Sequence, residues 1–289
     1  MEKQFKTKRI TENDSWSLNF LYKNPLGRIL LKGIIQPQLT KVVGFYLNSS
    51  LSKGMINRFI KKNNLQMGEY VPMSYTSFNH FFMREIKPAA RALVYEECSL
   101  SAPCDGKVTV HSIDEKQTFK VKQSEYTLSE LLDSTSLAEK WQGGCAVIFR
   151  LTPDDYHHYY FIDEGTISAH QKIAGVFHTV QPIAVHNQPV FSRNTREITV
   201  IETKNFGEIL QIEVGALMVG KIKNEKTSGS CQRFEKKGWF EFGGSTVILL
   251  FQENKVKIDP EIWKNTENNL ETLVKFGQVV GQKMEEIHE

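Results

Sequence analysis

Residues 238–251 read GWFEFGGSTVILLF, from Gly238 to Phe251. Two runs rich in aromatic and aliphatic residues, 239–242 and 246–251, flank Gly243-Gly244-Ser245. Runs of this kind bounded by glycine are strand signals, so the segment predicts two strands meeting at a tight junction. The same texture extends backwards through KVTVHSI (107–113), FKVKQ (119–123), GCAVIFRL (144–151), TISAHQKI (166–173), REITVIET (196–203), GEILQIEVG (207–215) and LMVGKI (217–222). Short β-branched runs separated by Gly, Asn, Asp and Pro predict a barrel or sandwich, and no strand–helix alternation points to a doubly wound sheet. One short helix is expected near 127–134 with Thr127 as its N-cap, and an amphipathic helix within 262–289. The Lys- and Gly-rich stretch 224–238 reads as an exposed hairpin loop.

The N-terminal third is different. Leu18, Leu21, Tyr22, Leu26, Ile29 and Leu30 recur at helical spacing, and Pro25 and Pro37 divide the region into short helices. SYTSFNHFFMREI (74–86) predicts a further aromatic helix capped by Ser74 or Thr76. The expected fold is therefore α+β: basic amphipathic helices over 1–95, then a β-rich barrel- or sandwich-like domain over 96–289.

The 289 residues carry a net charge of +3, which hides an asymmetry. Residues 1–62 hold twelve Lys or Arg against three acids, a net +9, leaving −6 on the rest. A basic amphipathic surface with Trp16, Phe20, Tyr22, Phe45 and Tyr46 suits an anionic membrane interface; no nucleic-acid-binding signature accompanies it. A helical layer packed on the main domain with solvated charges is the plainer reading of the same residues. No run of eighteen apolar residues and no signal-peptide core occur, and the four cysteines show no C-x-x-C spacing, so zinc clusters and disulfide scaffolds are not expected.

Chemistry is concentrated at the glycine junction. Gly243-Gly244-Ser245 is either a turn between strands or a strained bond open to attack by the Ser245 hydroxyl on the Gly244 carbonyl. The second course gives an ester, chain scission by elimination, and a pyruvoyl group from the serine.

Six segments in order resemble the phosphatidylserine decarboxylases: SFNHFFMRE (77–85), SAPCDGKVTV (101–110), RLTPDDYHHYYF (150–161), FSRNTREITVIET (191–203), IEVGALMVGKI (212–222) and FEFGGSTVILLF (240–251). The resemblance implies scission between Gly244 and Ser245 into a β chain, 1–244, and an α chain, 245–289. It implies a covalent pyruvoyl cofactor from Ser245, with neither metal nor pyridoxal phosphate, and decarboxylation of phosphatidylserine through a Schiff base. It places the family's acid on Asp105 and its proton donor on His157, with Thr246 completing the processing triplet. Where relatives carry a second histidine three residues on, this chain has Tyr160; His158 and His178 are the expected substitutes, beside His157 itself. Pro153, Asp154 and Asp155 suggest a helical turn, which would put His157 and Tyr160 on one face. Implied partners are phosphatidylserine, an anionic membrane surface, the two cleaved chains and a second copy in a dimer, with no nucleic acid. The implied location is peripheral, on the cytoplasmic face of the cytoplasmic membrane. The alternative is a lipid-binding relative that does not mature because Tyr160 replaces the histidine.

Overall fold

The central feature of the computed structural model, which describes residues 5–10, 16–121, 123–186, 188–217, 221–242 and 245–285, is a nine-stranded antiparallel sheet. Its order is Thr7–Arg9, Leu270–Val274, Gly106–Ser112, Cys145–Leu151, Ser245–Phe251, Gly207–Val214, Arg196–Thr203, Gly165–Ile173 and Gly229–Cys231. The Ser245–Phe251 strand sits at the middle, and all seven of its residues are buried. Its continuous apolar run reflects cover on both faces. Val247, Leu249 and Phe251 join one core with Phe149, Ile209, Tyr159 and Phe240, while Ile248 and Leu250 join another with Ile148, Leu210, Tyr126 and Trp141. A second sheet, Ile222–Asn224, Lys236–Phe240 and His158–Tyr160, contributes Ile222, Tyr159 and Phe240 to the first of these cores.

The N-terminal region forms α1 (Trp16–Lys23), α2 (Pro25–Ile34), α3 (Pro37–Asn48) and α4 (Met55–Asn63). Pro25 and Pro37 occupy first-turn positions, where the missing N–H costs nothing, so each proline starts a helix. The Asn24 side chain accepts from the Leu26 amide at 2.9 Å and caps α2. Tyr22 and Leu31 pack into the second core. Thr7–Arg9 pairs with Leu270–Val274, so the chain's first described segment closes one sheet edge.

Three local expectations are corrected. The 74–86 helix is only α5 (Phe78–Phe82), and its cap is Ser77, whose hydroxyl accepts from the His80 amide at 3.1 Å. Among the described residues of 262–289, helix fills only the start: the helix Pro260–Glu267 ends at Asn268, Asn269 takes a left-handed φ of 57°, and strands Leu270–Val274 and Val279–Lys283 follow. The 224–238 stretch is not a loop throughout, because it carries strand residues and a fully buried Lys237. The short helix at 127–134 forms as Leu128–Leu132 with Thr127 at its N-cap position.

Candidate active site

Ser245 begins the central strand, opposite Leu151 in register. Side chains alternate along a strand, so Ser245 faces the same side as Val247 and Leu249, and Thr246 faces the other. Both are fully buried, and neither hydroxyl has a hydrogen-bond partner. Such atoms are uncommon in folded proteins and call for an explanation. Gly243 and Gly244 lie outside the described residues.

Beyond Leu151 the chain turns, and charge holds that turn. One Asp155 oxygen accepts from the Thr152 amide at 2.7 Å and from the Lys107 ammonium at 2.6 Å. The Asp155 carbonyl then accepts from Nδ1 of His157 at 2.9 Å. That bond places the ring proton on Nδ1 and leaves Nε2 as a bare acceptor; Nε2 is buried and unpartnered. Burial disfavours the imidazolium, with Arg84 and Lys107 adding to it, and pushes the pKa of His157 down to about 3.

Helix α5 joins this turn to the glycine junction. The Phe82 ring lies 4.2 Å from the His157 ring and 5.0 Å from Phe242. The Asn79 side-chain oxygen accepts from the Phe242 amide at 3.0 Å, and the Phe240 amide donates to the His157 carbonyl at 2.9 Å. The Phe-rich segment thus braces both sides of the site.

Other residues singled out in the sequence lie elsewhere. Residues 158–160 form a strand rather than a helical turn, so residues three apart point to opposite sides. Tyr156, His158 and Tyr160 share a side: the His158 ring stacks on Tyr156 at 4.6 Å, and the Tyr156 and Tyr160 hydroxyls are 3.0 Å apart. Tyr160 stacks on Phe276 at 3.8 Å. His158 donates from Nε2 to the Met83 carbonyl at 3.2 Å, and burial lowers its pKa to about 4. His178 bonds through Nδ1 to the Tyr22 hydroxyl at 3.2 Å, and burial likewise lowers it to about 4.

Among the described residues, Asp105 is bonded to no histidine. Its oxygens accept from Nε and Nη2 of Arg91 at 3.1 and 2.7 Å, from Lys275 at 2.9 Å and from the Phe276 amide at 2.8 Å. Burial alone would raise its pKa, but Lys275 and Arg91 hold the carboxyl below its ordinary value. With four donors, its acceptor capacity is filled.

One pair escaped the sequence reading. Glu213 and Lys237 are both fully buried and joined at 2.8 Å. In GEILQIEVG, Gln211 and Glu213 fall on alternate positions, which mimics the polar face of a half-exposed strand; only the second sheet shows that this face is interior. Above the junction, a cavity of about 440 Å³ opens between α3 and Phe242, lined also by Lys41, Phe45, Phe177, Lys221 and Glu241. Among the described residues no cluster of three His, Cys, Asp or Glu has metal-binding geometry.

Comparison with known proteins identifies a family for the chain. The family described as phosphatidylserine decarboxylase matches residues 78–282. Phosphatidylserine decarboxylase proenzyme 2 of Clostridium acetobutylicum is 41% identical over 282 residues, covering 97% of this chain and 94% of its own. The proenzyme of Fusobacterium nucleatum is 40% identical, covering 92% of this chain and 91% of its own. That of Clostridium perfringens is 38% identical, with 92% of each covered.

Proposed function

The chain belongs to the phosphatidylserine decarboxylase family of pyruvoyl-dependent carboxy-lyases, and from that premise we propose that it cuts itself between Gly244 and Ser245 and then converts phosphatidylserine to phosphatidylethanolamine and carbon dioxide. The observation carrying this reading is the Ser245 hydroxyl, buried and unpartnered at the head of the central strand, within the family's Gly-Ser-Thr segment.

The pyruvoyl group supplies a ketone conjugated to an amide, which accepts the electron pair left when carbon dioxide departs. The rest is assigned to side chains of this chain. His157 relays the proton that replaces the carboxylate: Nε2, a bare acceptor in the resting chain, takes up the proton that the substrate's ammonium gives up and returns it to carbon, while the Asp155 carbonyl fixes the ring through Nδ1. Phe82 and Phe242 keep water from the ring. Asp105, saturated by Arg91 and Lys275, acts as a charged clasp between the 1–244 and 245–289 segments.

The substrate is a lipid, and the surface around α1–α4 suits one. Among the described residues, ten of the thirteen exposed large apolar side chains lie between Trp16 and Met55, including Leu30, Val42 and Phe45. Such a concentration marks an interaction surface, and interspersed lysines and arginines favour anionic lipid. No helix among the described residues is long and apolar enough to span a bilayer, so contact is peripheral, and we assign it to the cytoplasmic face.

Intact-mass measurement of the purified protein, paired with carbon dioxide release from phosphatidylserine vesicles, tests the reading. Two fragments, 1–244 and 245–289, with the second carrying the pyruvoyl mass, are expected. A single uncleaved chain without decarboxylation would overturn it in favour of a relative that does not mature.

A further inference from the structure

With Tyr160 packed on Phe276 and His158 and His178 bonded elsewhere, the serine hydroxyl still needs a base. Glu213 lies opposite Val247 in register, on the strand beside Ser245–Phe251, and two residues along that strand on the same face is Ser245. Diagonal positions of this kind lie roughly 7–8 Å apart, within reach of a long side chain. One Glu213 oxygen, Oε2, is held by Lys237 at 2.8 Å and Asn224 at 3.3 Å. The other, Oε1, is buried without a partner, as is Oγ of Ser245. A buried ion pair adds little stability over an apolar pair of equal volume, so its placement beside the scissile serine asks for another reason.

We propose that Glu213 is the general base for self-cleavage, its other oxygen held by Lys237. Resting on the maturation reading above, the step runs as follows. Oε1 takes the Ser245 hydroxyl proton as Oγ bonds to the Gly244 carbonyl carbon. The bond from that carbon to the Ser245 nitrogen breaks, and the nitrogen receives the proton, leaving an ester and a free amine. No outside reactant is consumed. The groups bearing on the carboxylate are Lys237, Asn224 and Glu197, with Cys104 and Tyr159 also sensing its charge. Burial raises the pKa of Glu213 despite Lys237, which makes it a stronger base than an exposed carboxylate.

The test follows the split of the full chain, pulse-labelled in cell-free translation, on denaturing gels. Glu213→Gln is expected to slow the split by about 100-fold or more, in keeping with lost general-base help, and Glu213→Asp by less. The wild-type rate is expected to rise with pH above the ordinary carboxylate range, and that rise to vanish in Glu213→Gln, a change that a structural role alone would not produce. Wild-type speed and pH dependence in Glu213→Gln would overturn the assignment, as would cleavage lost in His157→Ala but kept in Glu213→Gln. If the Gln variant lacks a protease-resistant fold, the wild-type profile decides: a flat rate across that range overturns the proposal. His157, deprotonated down to about pH 3, would give such a flat profile as base. A wild-type chain that never splits refutes the maturation reading itself, which is a distinct result.

Discussion

At Ser245 the proposed chemistry depends on a single side-chain oxygen, so Ser245→Ala is expected to leave one full-length chain that releases no carbon dioxide. Gel electrophoresis and a headspace carbon dioxide assay check both. His157→Ala is expected to abolish decarboxylation in whatever protein matures, because no other described imidazole faces this site. Tyr160→His is a sharper test of geometry. Spacing alone suggests that an imidazole there would serve Ser245. The strand turns residue 160 towards Tyr156 and Phe276, away from the side His157 occupies. The substitution is therefore expected to leave the cleavage rate unchanged and to cost about 0.5–1.5 kcal/mol from the lost aromatic stack, read by chemical denaturation.

Among the elements, α5 is only five residues long, yet it links the His157 turn to the glycine junction. Phe78, Phe81 and Phe82 are fully buried, and Phe82 touches both His157 and Phe242. Phe82→Ala is expected to cost about 3–5 kcal/mol and to loosen His157, lowering turnover in protein that still folds. The Ser77 cap, and not the earlier Ser74 or Thr76, starts this helix, which is why the pattern overstates its length. The opposite demand falls on α2 and α3, where Leu31 and Leu47 are buried but Leu26, Ile29, Leu30, Leu39, Val42 and Phe45 remain exposed. Replacing Leu30, Val42 and Phe45 together with Asp is expected to weaken binding to anionic vesicles. Charge reversal of Lys41 should do so by roughly 1 kcal/mol or more, with the effect reduced by salt. Equal sedimentation of the variants with anionic vesicles would mean that this face does not meet lipid.

Across the whole molecule, scission would leave a 245–289 fragment whose first strand lies at the centre of the sheet, bonded to Cys145–Leu151 and Gly207–Val214. The Asp105 cluster adds a charged tie between the fragments, so they are expected to co-elute under native conditions. Asp105→Ala strands Arg91 in the interior and is expected to cost about 3–5 kcal/mol. Acid stability follows from the buried histidines. His157, His158 and His178 have folded pKa values of about 3, 4 and 4, below the ordinary 6.5. Below pH 6.5 the unfolded chain binds protons that the folded chain refuses, so stability rises with pH in this window and falls on acidification towards pH 4. The slope is at most about 1.4 kcal/mol per pH unit for each histidine, and thermal melts across the range will show it.

The central strand, the surrounding β-rich texture, the proline-started helices and the Gly-Ser-Thr junction were legible in the chain because each is a local property: side-chain shape, φ restriction, apolar runs. So was the basic, amphipathic character of the start. What the linear pattern misreads are cases where a distant element decides. Alternating Gln211 and Glu213 look like a solvated face until a second sheet covers them. His157 and Tyr160 look like neighbours on a helical face until pairing with Lys236–Phe240 draws 158–160 into a strand. Asp105, the acid that the resemblance implies, is held by Arg91 and Lys275, 14 residues before it and 170 after it, which no local pattern announces. Residue type and spacing carry the chemistry a site can perform; burial and partner choice, which depend on contacts far apart in sequence, determine which residues perform it.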